Sequence, residues 1–188
     1  MDILTMNIWD KYARFVYRIA TGDKKFRVII TLPIGLIFFG LTALFVFVSI
    51  WIDKKFLFFH FELSWLTLAL AIVLLVLGWL ICTWAALAFL RNRGTPVPFN
   101  PPPKLITTGL YRYIRNPMLL GLFIFLIGLG FLLGSLSLIL VFTPIFVFIN
   151  VLYLKAIEEK EMEKKFGNQY LEYKKKVPMW IPRFNRNN

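Results

Sequence analysis

Seven consecutive residues, Tyr111-Arg112-Tyr113-Ile114-Arg115-Asn116-Pro117, gather two guanidinium groups, two phenols and a carboxamide in a largely apolar chain. Further on, Glu158-Glu159 sets two carboxylates side by side. Cationic donors opposed to an acidic group suit a zwitterion such as an amino-acid moiety, whose carboxylate and ammonium need opposite partners. Asn116 can cap a helix that Pro117 opens. The free N–H groups and positive dipole end of such a helix offer a further seat for a carboxylate. Tyr111 and Tyr113 can stack on a flat ring or cover a cation. The expectation is that this cluster and the acidic pair close on one small charged ligand, with Glu158, Arg115 and Asn116 next to the chemistry.

The elements that must position these residues are apolar helices. A hydrophobic share of 59% in 188 residues is too high for an ordinary soluble domain, and it falls in long uncharged blocks. Val28–Ile52 and Leu63–Leu90 each exceed the roughly 20 residues that cross a bilayer core. Met118–Leu154 is also uncharged but too long for one straight crossing; Gly134-Ser135-Leu136-Ser137 divides it into spans over about 117–134 and 137–155. Gly121, Gly128, Gly130 and Gly134 allow close helix approach, and Pro144 bends the last span. The expected fold is an all-α integral membrane protein with about four transmembrane helices. An interfacial helix over residues 1–27 precedes them, and an amphipathic helix over 158–177, broken near Gly167, follows. The organisation divides into residues 1–90 and a core over residues 91–188. Beside long apolar helices an ion is costly, so Arg115 and Glu158 ask for a reason; the plain one is that both mark span ends, Arg115 reaching toward headgroups.

A net charge of +12 raises the question of nucleic acid. The cations, however, cluster before the first block, in the loop Arg91–Gly121 and after Leu154, with Lys54 and Lys55 alone between the first two blocks. That segregation reports topology, with both termini cytoplasmic, and contact with anionic headgroups. The expected partners are the bilayer and a lipophilic or small amphiphilic substrate, with no nucleic acid. The single cysteine, Cys82, and single histidine, His60, build neither a disulfide framework nor a metal site. Oligomeric state is not readable from the sequence.

Two segments carry a resemblance. Gly109-Leu110-Tyr111-Arg112-Tyr113-Ile114-Arg115-Asn116-Pro117-Met118-Leu119-Leu120-Gly121 resembles the G-x-Y-R-x-x-R-[HN]-P-M-x-x-G signature of the isoprenylcysteine carboxyl methyltransferase family of integral membrane methyltransferases. Residues 158–182 are similar to that family's closing E-E-x-x-L-x-x-x-F-G-x-x-Y-x-x-Y-x-x-x-V-P segment, and Gly94-Thr95-Pro96 matches bacterial relatives. The resemblance implies an enzyme that uses S-adenosylmethionine without a Rossmann domain, in a bacterial or archaeal cell membrane. It implies a cytosol-facing cofactor pocket lined by Lys104, Leu105, Ile106, Tyr111, Asn116, Pro117, Met118, Leu119 and Gly121, with Glu158 and Glu159 reaching it from the last helix. No metal is required. Asn116 stands where the eukaryotic enzymes have His, and an amide cannot titrate near neutral pH. Leu154 stands where they place an Arg associated with the substrate's carboxylate, and its neighbour Lys155 points elsewhere on a helix.

The leading expectation is therefore methyl transfer to a phospholipid amine, an isoprenoid-linked carboxylate or a thiol, in that order. A sterol-reductase-type membrane enzyme using NADPH is the second reading, and a non-enzymatic scaffold or transporter the third.

Overall fold

A computed structural model describes residues 11, 15, 18, 19, 22–56, 61–95 and 102–180. Most of the expected interfacial helix lies outside them, as do His60, Pro96, Ile181 and Pro182. The order is α1 (Lys24–Lys55), α2 (Trp65–Arg91), a 3₁₀ turn (Gly109–Arg112) and α3 (Pro117–Leu133). One long helix then runs from Leu138 to Phe166 through α4 (Thr143–Tyr153) and α5 (Glu159–Phe166), and α6 (Asn168–Lys176) follows. No β-strand occurs among the described residues.

Three helices, Lys25–Lys55, Trp65–Arg91 and Leu138–Phe166, are long and apolar enough to cross a membrane. The fourth, α3, has 17 residues. At 1.5 Å per residue it reaches about 26 Å, slightly less than a hydrocarbon core of about 30 Å. The four apolar segments expected from the sequence are all present. The last is not separate from the tail, however, because the helix continues without interruption from Leu138 to Phe166.

Two compact units are formed by interleaved stretches of chain. The first comprises residues 1–35, 86–115 and 150–188, the second residues 36–85 and 116–149.

The second unit is a glycine-mediated helix packing. A Cβ on Gly121 would stand 2.8 Å from the Gly78 carbonyl oxygen and 2.9 Å from the Cys82 backbone nitrogen, and one on Gly128 2.8 Å from the Leu75 nitrogen. These contacts are backbone against backbone, the approach that small residues permit in membranes. Cys82 donates its thiol to the Met118 carbonyl at 3.2 Å, a packing role. Gly134, with φ 63°, closes α3 in the left-handed conformation. The turn that follows is fixed by Asp53, which lies just past the uncharged block Val28–Ile52 yet belongs to α1 and is 2% exposed. Its carboxylate accepts the Ser135 hydroxyl and, at 3.3 Å, the Ser137 N–H, while the Ser137 hydroxyl donates to the Ser49 carbonyl at 3.1 Å. A π turn at Leu138–Phe142 then precedes Pro144, where a bend was expected; it lies next to a residue that lacks an N–H.

Candidate functional site

In the first unit the loop before Asn116 meets the tail. Gly94 stands so close to Pro102 that a Cβ there would lie 2.5 Å from the proline nitrogen, which fixes the loop's entry. Lys165 on α5 donates to the Pro102 carbonyl at 2.9 Å. Tyr170, Tyr173 and Val177 form a small core against Leu105, Met162 and Phe166. Gly167 makes this possible: its φ of 54° and ψ of −132° break the tail into α5 and α6, as the sequence suggests.

Tyr111 is 6% exposed, packs edge-on against Phe89 with ring centroids 5.6 Å apart, and accepts the Tyr173 hydroxyl on its carbonyl at 2.7 Å. Burial holds the phenols of Tyr170 and Tyr173 above the ordinary tyrosine value. Tyr113 is 52% exposed, and Lys104 is exposed too; Leu105 is half-buried and Ile106 buried.

Arg115 is the hub. Its Nη1 is paired with Glu159 Oε1 and lies 3.4 Å from the Tyr170 hydroxyl. Its Nε donates to the Val177 carbonyl at 3.0 Å, and its backbone N–H to the Pro178 carbonyl at 2.9 Å. Burial pulls the guanidinium's pKa down, but the hydrogen bond and charge of Glu159, with Tyr170, together outweigh that and hold it above its ordinary value. The other carboxylate oxygen of Glu159 accepts Lys174 at 2.6 Å, and Lys174 also reaches Glu163 at 3.0 Å. Of the expected acidic pair, then, Glu159 closes on Arg115. Glu158 is half-buried and makes no ion pair or hydrogen bond with a described residue.

Beside this network opens a cleft of about 530 Å³. Arg115, Lys155, Glu159 and Lys174 supply its polar rim, and Val151, Met179 and Trp180 its apolar wall. Lys155 faces away from the buried Leu154 and lines this cleft. A π turn over Leu154–Glu158 widens the helix, and the Glu159 N–H bonds the Leu154 carbonyl. Four residues of regular α-helix drift by roughly 40°; the wider turn advances less per residue and cancels the drift, so Val151, Lys155 and Glu159 share one face. Leu154, 2% exposed, faces inward.

Sequence reasoning also missed Glu161. It is 3% exposed, and its Oε1 has no hydrogen-bond partner. The segment Glu158-Glu159-Lys160-Glu161 looks solvated in sequence, and only its burial singles out Glu161.

Asn116, Pro117, Met118, Leu119 and Gly121 belong to the second unit. Pro117 occupies the first turn of α3 as expected and is buried. Asn116 stands at the N-cap position, with φ −126° and ψ 58°, but its side chain makes no capping hydrogen bond. Among the described residues no group of three or more His, Cys, Asp or Glu could hold a metal ion.

Long apolar helices, with a buried guanidinium–carboxylate network on the last of them, define a polytopic helical membrane protein with a polar site at the end of one span. The sequence pattern of the phospholipid methyltransferase family matches residues 66–169. The chain belongs to the phospholipid methyltransferase family, and its resemblance to the isoprenylcysteine carboxyl methyltransferase family is borne out. It is 37% identical over 85 residues to protein-S-isoprenylcysteine O-methyltransferase of Schizosaccharomyces pombe, which covers 44% of this chain and 35% of the relative. To the protein of the same name in Saccharomyces cerevisiae it is 38% identical over 82 residues, 42% of this chain and 32% of the relative. To methanethiol S-methyltransferase 1 of Bradyrhizobium diazoefficiens it is 31% identical over 81 residues, 43% and 27%. The chain thus spans about a third or less of the length of these relatives.

Proposed function

We propose that this protein is a membrane-embedded methyltransferase that takes a methyl group from S-adenosylmethionine and gives it to a lipophilic or small amphiphilic acceptor. The observation that carries the reading is the union of the two motif segments. Arg115 from the first is held by Glu159, Tyr170 and the Val177 carbonyl from the second. Such a union turns two sequence signatures into one charged site at the end of a span.

The residues present fit a cationic cofactor. An unpaired buried carboxylate is costly, and the Glu161 Oε1 is one. Glu158, three residues earlier and so on an adjoining part of the helix face, adds a second carboxylate without a bond of its own. A sulfonium and an ammonium would satisfy both. In this assignment Glu158 and Glu161 hold the cofactor's cationic groups, while Lys104, Leu105, Ile106 and Tyr111 line its place. When bound, S-adenosylmethionine supplies a methyl already electrophilic on sulfur, the C–S electron pair returning to sulfur as an acceptor's lone pair takes the carbon. The protein's own work is alignment and the exclusion of water, for which a site beside apolar helices is suited. The acceptor classes stand in the order phospholipid amine, isoprenoid-linked carboxylate, thiol. The family's description and the relatives' names support that set. The site is assigned to the cytoplasmic face.

Calorimetric titration of S-adenosylhomocysteine into the detergent-purified protein, with NADPH run beside it, tests the reading. Saturable binding of S-adenosylhomocysteine alone is expected. Binding of NADPH alone would replace the proposal with a reductase, and binding of neither to folded protein with a scaffold.

A further inference from the structure

A second cleft, of about 220 Å³, opens on a different face of α6 and shares no residue with the first. Gln169, Glu172 and Lys176, at helical spacings of three and four, supply its α6 side, and Thr107 and Arg112 its loop side. All five are exposed, and no side chain among them bonds to a described residue. Two cations against one carboxylate leave a single positive charge in this cleft. Glu172 stands four residues before Lys176, the spacing at which the two offset each other, so the guanidinium of Arg112 is left over. Thr107 and Gln169 add neutral donors beside it. A planar cation flanked by a hydroxyl and a carboxamide suits a singly charged phosphate group. The volume is below the roughly 300–1,000 Å³ that encloses a whole drug-sized ligand, so the cleft takes a headgroup and leaves the rest of its molecule outside.

The depth of the cleft follows from contacts within the same unit. Tyr111, next to Arg112, packs against Phe89 with ring centroids 5.6 Å apart, and Phe89 lies in the last turn of α2, which ends at Arg91. Tyr173, which lines the cleft, donates its hydroxyl to the Tyr111 carbonyl at 2.7 Å. Arg112 is thereby held level with the charged end of a spanning helix, where the hydrocarbon gives way to headgroups. Two apolar side chains stay open nearby in the chain: Tyr113, 52% exposed, and Leu171, 40% exposed, between Gln169 and Glu172. Apolar bodies among cations are what a surface presents to the headgroup layer.

We infer that this cleft is a phospholipid seat, in which Arg112, with Thr107 and Gln169, holds the phosphodiester of a bilayer lipid whose tails stay in the hydrocarbon. A lipid bound there bridges the loop and α6 and stabilises their union, because it binds the folded form alone. It is a structural partner, seated in a cleft that contains no residue of the cofactor assignment, and the inference stands apart from the methyltransferase reading.

Short-chain lipid binding to the whole chain in neutral detergent, followed by native mass spectrometry, tests the seat. The probe is dihexanoyl phosphatidylglycerol, its uncharged counterpart dihexanoylglycerol, and the source without tails inorganic phosphate. A charge-assisted phosphate contact is worth about tenfold in affinity, so the phospholipid should bind about tenfold more tightly than dihexanoylglycerol. Arg112→Gln should remove that preference and Arg112→Lys should keep part of it; the Arg112 side chain bonds to nothing described, so both variants keep the fold. Glu172→Gln should tighten phospholipid binding, because it takes away the carboxylate that offsets Lys176. Lys25→Gln, the loss of an exposed cation on α1, should leave the preference unchanged. Equal binding of the two lipids, or an equal loss in Arg112→Gln and Lys25→Gln, overturns the seat in favour of general charge attraction. Inorganic phosphate binding as tightly as the phospholipid overturns the lipid and leaves a simple anion site. Displacement of the phospholipid by S-adenosylhomocysteine also overturns the inference, by making the cleft part of the cofactor's place.

Discussion

Arg115→Ala removes the hub that ties the loop to the tail, and its cost can be worked from the contacts. The side chains of Arg115 and Glu159 are each 11% exposed, so their pairing is largely shielded from water. Breaking a buried pair costs about 3–5 kcal/mol, chiefly because the surviving charge is left unmatched. Here Glu159 keeps Lys174 at 2.6 Å, which lowers the charge penalty. The Val177 carbonyl loses the Nε donor at 3.0 Å, a further contribution of about 1 kcal/mol. The backbone bond from Arg115 to Pro178 survives the substitution. Taken together these terms give about 3 kcal/mol. For a chain of this size each kcal/mol shifts Tm by about 2–4 °C, so a drop of about 6–12 °C is expected. Scanning fluorimetry of the detergent-purified variants reads it directly. Arg115→Lys should recover part of the loss, since an ammonium keeps the charge without the planar fork that serves Glu159 and Val177 together. The double variant Arg115→Ala, Glu159→Gln should be less damaged than the sum of the singles, by a coupling of about 1–3 kcal/mol. A Tm within about 2 °C of wild type for Arg115→Ala, with additive singles, would show that the network does not hold the tail.

Four further outcomes follow from single residues. Glu161→Gln should weaken S-adenosylhomocysteine binding about tenfold by calorimetry, because the carboxyl proposed to face the cofactor's ammonium is lost. Gly121→Ala places a methyl 2.8 Å from the Gly78 carbonyl oxygen and should lower Tm by about 4–12 °C, at roughly 2–3 kcal/mol of overpacking. Gly167→Ala meets no atom within 4 Å but must adopt φ 54° and ψ −132°, so a cost of about 1–3 kcal/mol in scanning fluorimetry would come from backbone strain alone. Because burial raises the phenol pKa of Tyr173, stability tied to its retained proton is fully present below the ordinary value of 10.0 and is lost as pH rises beyond it. Tm should therefore fall above pH 10, and Tyr173→Phe should flatten that fall at a cost of about 1 kcal/mol near neutral pH, from its lost bond to the Tyr111 carbonyl.

Sequence reached the apolar helices, the turn at Gly134 and the break at Gly167 because each rests on a local rule: run length, a left-handed glycine, a periodic pattern that stops. Arg115 and the acidic segment were legible as partners for the same reason, since uncharged spans leave few places for polar groups to meet. The exact pairing was not. Glu158 and Glu159 are chemically identical, and helix phase decides which faces Arg115; that phase is set by a π turn over Leu154–Glu158, for which the residues Leu-Lys-Ala-Ile-Glu give no local signal. The same turn brings Lys155 onto the face of Val151 and Glu159, where it lines the cleft. Asp53 was misplaced for a related reason. A carboxylate at the end of a span looks like a boundary mark, and only the serines of a distant turn show that it is a buried acceptor.

The acidic run also separates stability from function. Glu159 has a partner on each oxygen, so its burial is compensated within the chain. Glu161, two residues on, is more deeply buried as a residue than Glu159, 3% exposed against 8%, and one oxygen has no partner. A chain optimised only for stability would replace it by an apolar side chain of similar volume, often at no loss. Departures from local consistency of this kind concentrate where a ligand completes the structure. Glu158 and Glu161, neither of which bonds to a described residue, are therefore the carboxylates left for the cationic cofactor proposed above.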